Sequence, residues 1–317
     1  MAENKSIATR LAFGQELAKV GAREDIIVLD ADLSKSTMTA VFKESYPERH
    51  INCGIAEGNM MATAAGLASC GKKVFAASFA MFAAGRAYEQ IRNSIAYPSL
   101  PVVVVGSHAG VTVGEDGASH QCIEDVALMR AIPNMTVISP ADGTEAAAAV
   151  RALIDYDKPA YLRVSRLAMP ILFDENEYGK FEIGKGRLMR EGNDVTIIAT
   201  GLLMHEAIKA VDMLEAEGIS VRLVNMPTIK PIDKDIVIES AKKTGAIVCV
   251  EEHNIIGGLG DAVASVLAQN CPTPMEIVGI RDKFGASGKP NVLLDEYKLS
   301  APHIVAYTKS VLEHKNV

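Results

Sequence analysis

At 317 residues, 49% of them hydrophobic, the chain is long enough to bury two cores, so two domains are expected. A formal net charge of −7 with interspersed signs argues against a nucleic-acid surface, and no apolar run reaches the ~18 residues a membrane span needs. The opening MAENKSIATRLAF lacks an apolar signal core, and five scattered cysteines without a CxxC pair read as small hydrophobes in a reducing compartment; a soluble, cytoplasmic α/β protein is expected.

In chain order, Ser6 to Val20 shows apolar residues at helical spacing, and Gly21 stops that helix. The run Ile26 to Leu29 has the continuous, β-branched character of a buried parallel strand. Asp30, Asp32, Ser34 and Ser36 follow at its carboxyl end, where open α/β sheets place ligand contacts. The stretch Ile51 to Gly71 then predicts a helix, apolar on nearly every face from Met60 to Leu67 and hence buried all round, with Glu57 at its mouth. Next come a strand from Val74 to Ala77, a helix from Met81 to Tyr97 and the valine strand Pro101 to Val105. A long, glycine-rich loop from Gly106 to Gln121 leaves that strand, and loops of such length in compact domains are functional or disordered. A short helix to Arg130, a strand from Met135 to Ile138, a helix from Ala141 to Ile154 and a strand from Ala160 to Val164 complete the first unit.

Composition changes at Pro170 to Glu191, rich in Pro, Asp, Glu, Gly and Lys without periodicity. Beyond it the βα rhythm resumes, with strands at Val195–Ala199, Ser220–Val224, Ala246–Val250 and Met275–Val278 and helices between and after them. The expected fold class is α/β, two doubly wound, mostly parallel-sheet domains at 1–170 and 191–317, joined by a linker at 171–190.

Chemistry concentrates in the first unit. A carboxylate at Glu57 is either a helix N-terminal charge or a buried acid in need of a partner. The loop SHAGVTVGEDGASHQ sets His108, Asp116 and His120 on glycine hinges, a set suited to proton transfer or to a polyhydroxylated substrate and a poor match to zinc spacing. Phe79 and Phe82, three apart, share a helix face, as core pairs do. Arg10, Arg163 and Arg166 are either surface charges or anion clamps. The run Gly257-Gly258-Leu259-Gly260 has Val263 where a dinucleotide fingerprint needs a small residue, and four polar residues, Glu251 to Asn254, stand as a spacer between it and the preceding strand, so it reads as tight helix packing.

With ADLSKS (Ala31 to Ser36), GIAEGNM (Gly54 to Met60), SFAMF (Ser78 to Phe82), HAGVTVGEDGASHQ (His108 to Gln121) and Ser165-Arg166 in view, nearly the whole chain resembles the C-terminal half of a transketolase. The resemblance implies a thiamine diphosphate pyrimidine-binding domain followed by a transketolase-like C-terminal domain. It implies that Glu57 hydrogen-bonds the pyrimidine N1′ and drives the imino tautomer that removes the thiazolium C2 proton, with Phe79 and Phe82 as the stacking wall. It further implies Asp32 near the thiazolium side, His120 beside the reacting carbon, Asp116 on a sugar hydroxyl, and Arg10, Ser36, His108 and Arg166 around the sugar phosphate. Gly85 departs from the pattern, since the family often has an aromatic there.

The family's GDG-to-Asn motif for the diphosphate and Mg²⁺ is absent from the sequence. The resemblance therefore implies a split enzyme: a cytoplasmic heterotetramer in which this chain pairs with itself and with an N-terminal subunit that binds most of the Mg²⁺. Two same-class alternatives are a deoxyxylulose-phosphate-synthase-like half-enzyme, whose family typically lacks the loop's first histidine, and a two-oxo-acid dehydrogenase beta-like one. A non-catalytic scaffold is the alternative from another class.

Overall fold

A computed structural model describes residues 6–315; residues 1–5, part of the stretch read for export, and 316–317 lie outside the described residues. The strands are β1 (Ser6–Ala8), β2 (Ile26–Asp30), β3 (His50–Asn52), β4 (Lys73–Phe79), β5 (Val102–Ser107), β6 (Thr136–Ile138), β7 (Ala160–Val164) and β8 (Ala168–Pro170). They continue with β9 (Arg187–Arg190), β10 (Val195–Ala199), β11 (Val221–Asn225), β12 (Thr228–Lys230), β13 (Ile247–Asn254) and β14 (Met275–Ile280). A seven-stranded sheet runs β12-β6-β7-β5-β4-β2-β3 and a five-stranded one β14-β13-β10-β11-β9. Both are parallel except for one edge strand each, β12 and β9. Two α/β domains with mostly parallel sheets are therefore present. The apolar strands fill them: Val102 to Val105, Ile197 and Val248 are fully buried beneath helices.

Several local expectations are corrected. Residues Ser6–Ala8 are extended and pair antiparallel with β8, so the first helix is Thr9–Val20. The expected helix from Met81 consists of π-helical turns at Met81–Arg86 and Ile91–Ala96 around one α turn, Tyr88–Gln90. Gly85 sits inside the first of these, and the end of the Met81 side chain occupies the space a Cβ would take, so a larger residue there would have to displace that flexible methionine. The helix Glu57–Ser69 is not buried all round: Asn59, Ala62, Gly66 and Ser69 form an exposed stripe at helical spacing. Within 171–190, Glu175–Tyr178 makes a helical turn and β9 joins the second sheet. Strand β13 runs on to Asn254, so Glu251, Glu252 and His253 are buried strand residues, not a polar spacer.

The two halves interlock. Strand β12 crosses from the second half to pair with β6 of the first sheet. Glu145, fully buried, accepts from the Tyr178 hydroxyl at 2.6 Å, from Asn225 Nδ2 at 2.8 Å and from Ala141 N at 2.7 Å. One carboxyl thus joins a first-domain helix, the connecting segment and β11. Burial pushes it up to about 7, against the pull of those donors. Truncation strands three buried donors, so Glu145→Ala is expected to lower unfolding free energy by about 3 kcal/mol, read by chemical denaturation. A loss below about 1 kcal/mol would show that water replaces the carboxyl.

Candidate active site

The carboxyl ends of β2, β4, β5 and β7 deliver the functional side chains to one edge of the first sheet, as open parallel sheets do. Glu57 opens its helix, where the macrodipole favours negative charge, yet the residue is only 2% exposed. Its Oε2 accepts from Arg86 Nη1 at 3.2 Å; among the described residues Arg86 is the carboxylate's one hydrogen-bond partner, and Oε1 has none. The Arg86 guanidinium lies 5.2 Å over the Phe82 ring. Phe82 stacks on Phe79 at 5.9 Å, and His108 stacks on the same Phe79 at 4.0 Å. His120 meets both phenyl rings edge-on, at 6.1 and 5.4 Å. A continuous run of contacts thus links the buried acid to two phenyl rings and two imidazoles.

The loop after β5 departs at His108, whose φ of +57° is left-handed, and at once lodges the ring in the interior. His108 Nδ1 lies 2.8 Å from Ser107 Oγ. Burial pushes its pKa down to about 3, helped by the positive charges of Arg10 and Arg166 and by His120. Arg10, half-buried, donates to the Ser36 carbonyl at 2.6 Å. Burial first, and then Arg166, lower its pKa, and its Nε is buried without a partner. Arg166 donates to Val113 O at 2.6 Å and lies 3.7 Å from Asp116. Two guanidiniums that repel each other beside a neutral imidazole, with an orphan N–H, form a corner that an anion would relieve.

Asp32 occupies a left-handed turn with φ of +63° and exchanges hydrogen bonds with Asn52 of β3, both at 3.1 Å. Asp30 holds that turn from below, accepting from Leu33 N and Thr39 Oγ1 and lying 2.8 Å from His50 Nε2. Ser36 meets Arg10 through its carbonyl rather than its hydroxyl. Arg163 is no anion clamp: its guanidinium is spent on Asp125 and on the Glu252 carbonyl in the interior. The glycine run opens the helix Leu259–Asn270 onto Glu251, whose carboxylate accepts from Leu259 N and Gly260 N. Gly260 itself packs against Ile277, the tight approach its sequence implies.

Residues 5–171 match the family described as Transketolase, pyrimidine binding domain, and residues 184–304 that described as Transketolase, C-terminal domain. The chain belongs to the transketolase family. It is 50% identical, over 93% of both chains, to a Methanocaldococcus jannaschii protein provisionally described as a transketolase C-terminal section. It is 43% identical to the 6-deoxy-6-sulfo-D-fructose transketolase subunit SqwH of a Clostridium species, covering 92% of this chain and 90% of that one. Its fold matches a split-gene transketolase solved as an inactive beta4 tetramer, with TM-score 0.90 and 48% identity over 98% of this chain and all of that one. Over its length this transketolase chain corresponds to the C-terminal section of the family's longer members.

Arg86 is the main site residue that sequence reading passed over, although its place four residues after Phe82 carried the signal. Asn52, the partner of Asp32, gave no such signal, and Gln121, read only as the end of the loop motif, bridges loop carbonyls through its amide.

The lowered pKa of His108 has a defined consequence. Folding favours the neutral ring, so its contribution to stability is intact above the ordinary value of 6.5 and is lost as pH falls toward about 3. NMR titration of the ligand-free chain is expected to show no His108 midpoint between about pH 5 and 8. A midpoint near 6.5 would mean that the ring is solvated.

Proposed function

We propose that this chain is the C-terminal subunit of a split transketolase. It moves a two-carbon ketol unit from a ketose phosphate to an aldose phosphate with thiamine diphosphate. The observation that carries the reading is the buried Glu57 carboxylate, with one oxygen unpartnered and one arginine away from stacked rings and paired imidazoles. These residues fit a flat, apolar ring with a basic nitrogen: the acid supplies the polar contact and Phe79 and Phe82 the stacking surface.

When bound, thiamine diphosphate supplies the carbon nucleophile that carries the two-carbon fragment. Glu57 holds a proton at the pyrimidine N1′, and burial strengthens that hydrogen bond. His120, edge-on to both phenyl rings, is assigned to the sugar hydroxyls nearest the chemistry and Asp116 to a hydroxyl farther along, with Asp32 on the thiazolium side. Arg10 and Arg166, with His108 and Ser36, take the anionic end of the sugar. The similarity to the Clostridium sulfo-sugar subunit makes the choice between phosphate and sulfonate a matter for that corner.

The diphosphate and its Mg²⁺ are assigned to an N-terminal subunit, and the active assembly to a cytoplasmic heterotetramer. Self-pairing is assigned to the open face of the helix Glu57–Ser69, where Gly66 has no atom within 4 Å of a built Cβ and another backbone can approach. Gly66→Leu is expected to keep the subunit folded, read by far-UV circular dichroism, but to halve the assembly mass in ultracentrifugation. Unchanged mass would move the interface elsewhere.

The central test is reconstitution with the N-terminal subunit, thiamine diphosphate and Mg²⁺, using ketose phosphate donors against pyruvate. Ketol transfer is expected from the pair and negligible turnover from this chain alone. Glu57→Ala is expected to lower kcat by about 10²- to 10⁴-fold. Turnover by the single chain, or a Glu57→Ala pair as fast as its parent, would refute the reading.

A further inference from the structure

The second domain reaches the catalytic loop, and it does so with buried polar groups. Glu252, on β13 and 3% exposed, projects its carboxylate into the first domain, where Oε1 accepts from the Thr112 backbone N–H at 2.6 Å. Gly110 makes room for it: a Cβ there would stand 2.3 Å from the Glu252 carboxyl carbon, and its φ of +82° suits glycine. Arg163 anchors the Glu252 end of this contact by donating to the Glu252 carbonyl at 2.9 Å. The same guanidinium binds Asp125, which also accepts from the Tyr161 hydroxyl at 2.7 Å.

A second contact comes from the segment after β14. The Ser287 hydroxyl donates to Glu115 O at 2.6 Å. Gln121 Nε2 reaches Val111 O and Gly114 O within the loop and Ala286 O of the second domain, all within 3.1 Å. Gly285 fits against that amide so closely that a Cβ would fall 1.7 Å from Gln121 Oε1.

We infer that Glu252 is a positioning residue of the second domain, holding the loop from His108 to Gln121 in the conformation that presents His108, Asp116 and His120. The enzymatic part of this inference rests on the transketolase reading; the mechanical part does not. Burial pushes the Glu252 carboxyl up to about 7 against the opposing charge of Arg163. An uncharged carboxamide that keeps the acceptor oxygen is therefore a fair replacement.

In amide hydrogen exchange on the isolated chain, Glu252→Ala is expected to speed exchange at Thr112 and its neighbours about tenfold, the equivalent of one lost hydrogen bond. Glu252→Gln is expected to stay near the parent. Gly285→Ala displaces the Gln121 amide without touching Glu252, and it is expected to loosen the same loop from the other side. In the reconstituted assembly Glu252→Ala is expected to raise KM for the phosphorylated donor about tenfold, a larger effect than on thiamine diphosphate affinity, because Glu57, Phe79 and Phe82 lie outside the loop and only the imidazoles packed on the two phenyl rings move with it. Recovery of KM in Glu252→Gln would exclude a general loss of packing. Unchanged exchange at Thr112 in Glu252→Ala would overturn the inference; should that variant fail to fold, unchanged exchange at Thr112 in Glu252→Asp, whose shorter side chain withdraws the acceptor from the Thr112 N–H, would overturn it instead. A parent assembly without ketol transfer would sink the functional reading alone, since the exchange comparison still decides the positioning role.

Discussion

Everything at the site depends on a carboxylate that the fold buries almost completely, leaving it only 2% exposed. An uncompensated buried charge costs several kcal/mol, and the fold answers that cost locally. Glu57 takes the first turn of a helix, where the backbone dipoles favour it, and Arg86 supplies the counter-charge from the neighbouring π-helical turn. The departure from α geometry at Met81–Arg86 fits this arrangement. π-Helical insertions occur mostly where function constrains a helix, and here the turn carries Phe82 and Arg86, with the arginine both over the ring and beside the acid. Satisfying only one oxygen leaves the other available to a ligand, which separates a poised acid from a structural ion pair.

Buried carboxylates also join the two halves. Glu145 gathers donors from the first domain, the connecting segment and β11. Glu251 caps a helix in its own domain, while its neighbour Glu252 crosses to the loop from His108 to Gln121. Adjacent residues on a strand point to opposite faces, so consecutive glutamates on β13 serve two domains at once. Hydrogen bonds to such groups are directional, and they fix the loop more narrowly than apolar contact would. The C-terminal domain thereby acquires a part in site geometry without contributing a side chain to the ring cluster.

How much of this was legible in the sequence follows from the range of each interaction. Hydrophobic runs such as Val102 to Val105 identify buried parallel strands because that signal is local, and GIAEGNM and GEDGASHQ mark the site because the chemistry sits in short motifs. What escaped was non-local. The pairing of β12 with β6 joins residues about ninety positions apart, and the pairing of Ser6–Ala8 with β8 overrode a helical pattern at the amino end. Arg163 looked like a clamp until Asp125 met it, and EEHN read as a polar spacer because nothing in the linear chain names Thr112, Ala127 or Leu259 as partners.

The one misjudged surface is informative in its own right. The helix Glu57–Ser69 carries the composition of a fully buried element, yet Asn59, Ala62 and Gly66 face outward. Selection acts on the chain in its working state, and small residues on an outward stripe are what another backbone needs in order to come close. If the chain pairs through this face, its sequence describes the environment of the assembly rather than of the subunit, and the expectation of a helix buried all round is met only there. The same helix begins with Glu57, so the contact that would complete its burial is one helix length or less from the acid. Assembly and the exclusion of water from the site would then be a single event, which ties the activity of the proposed enzyme to its quaternary structure through one element.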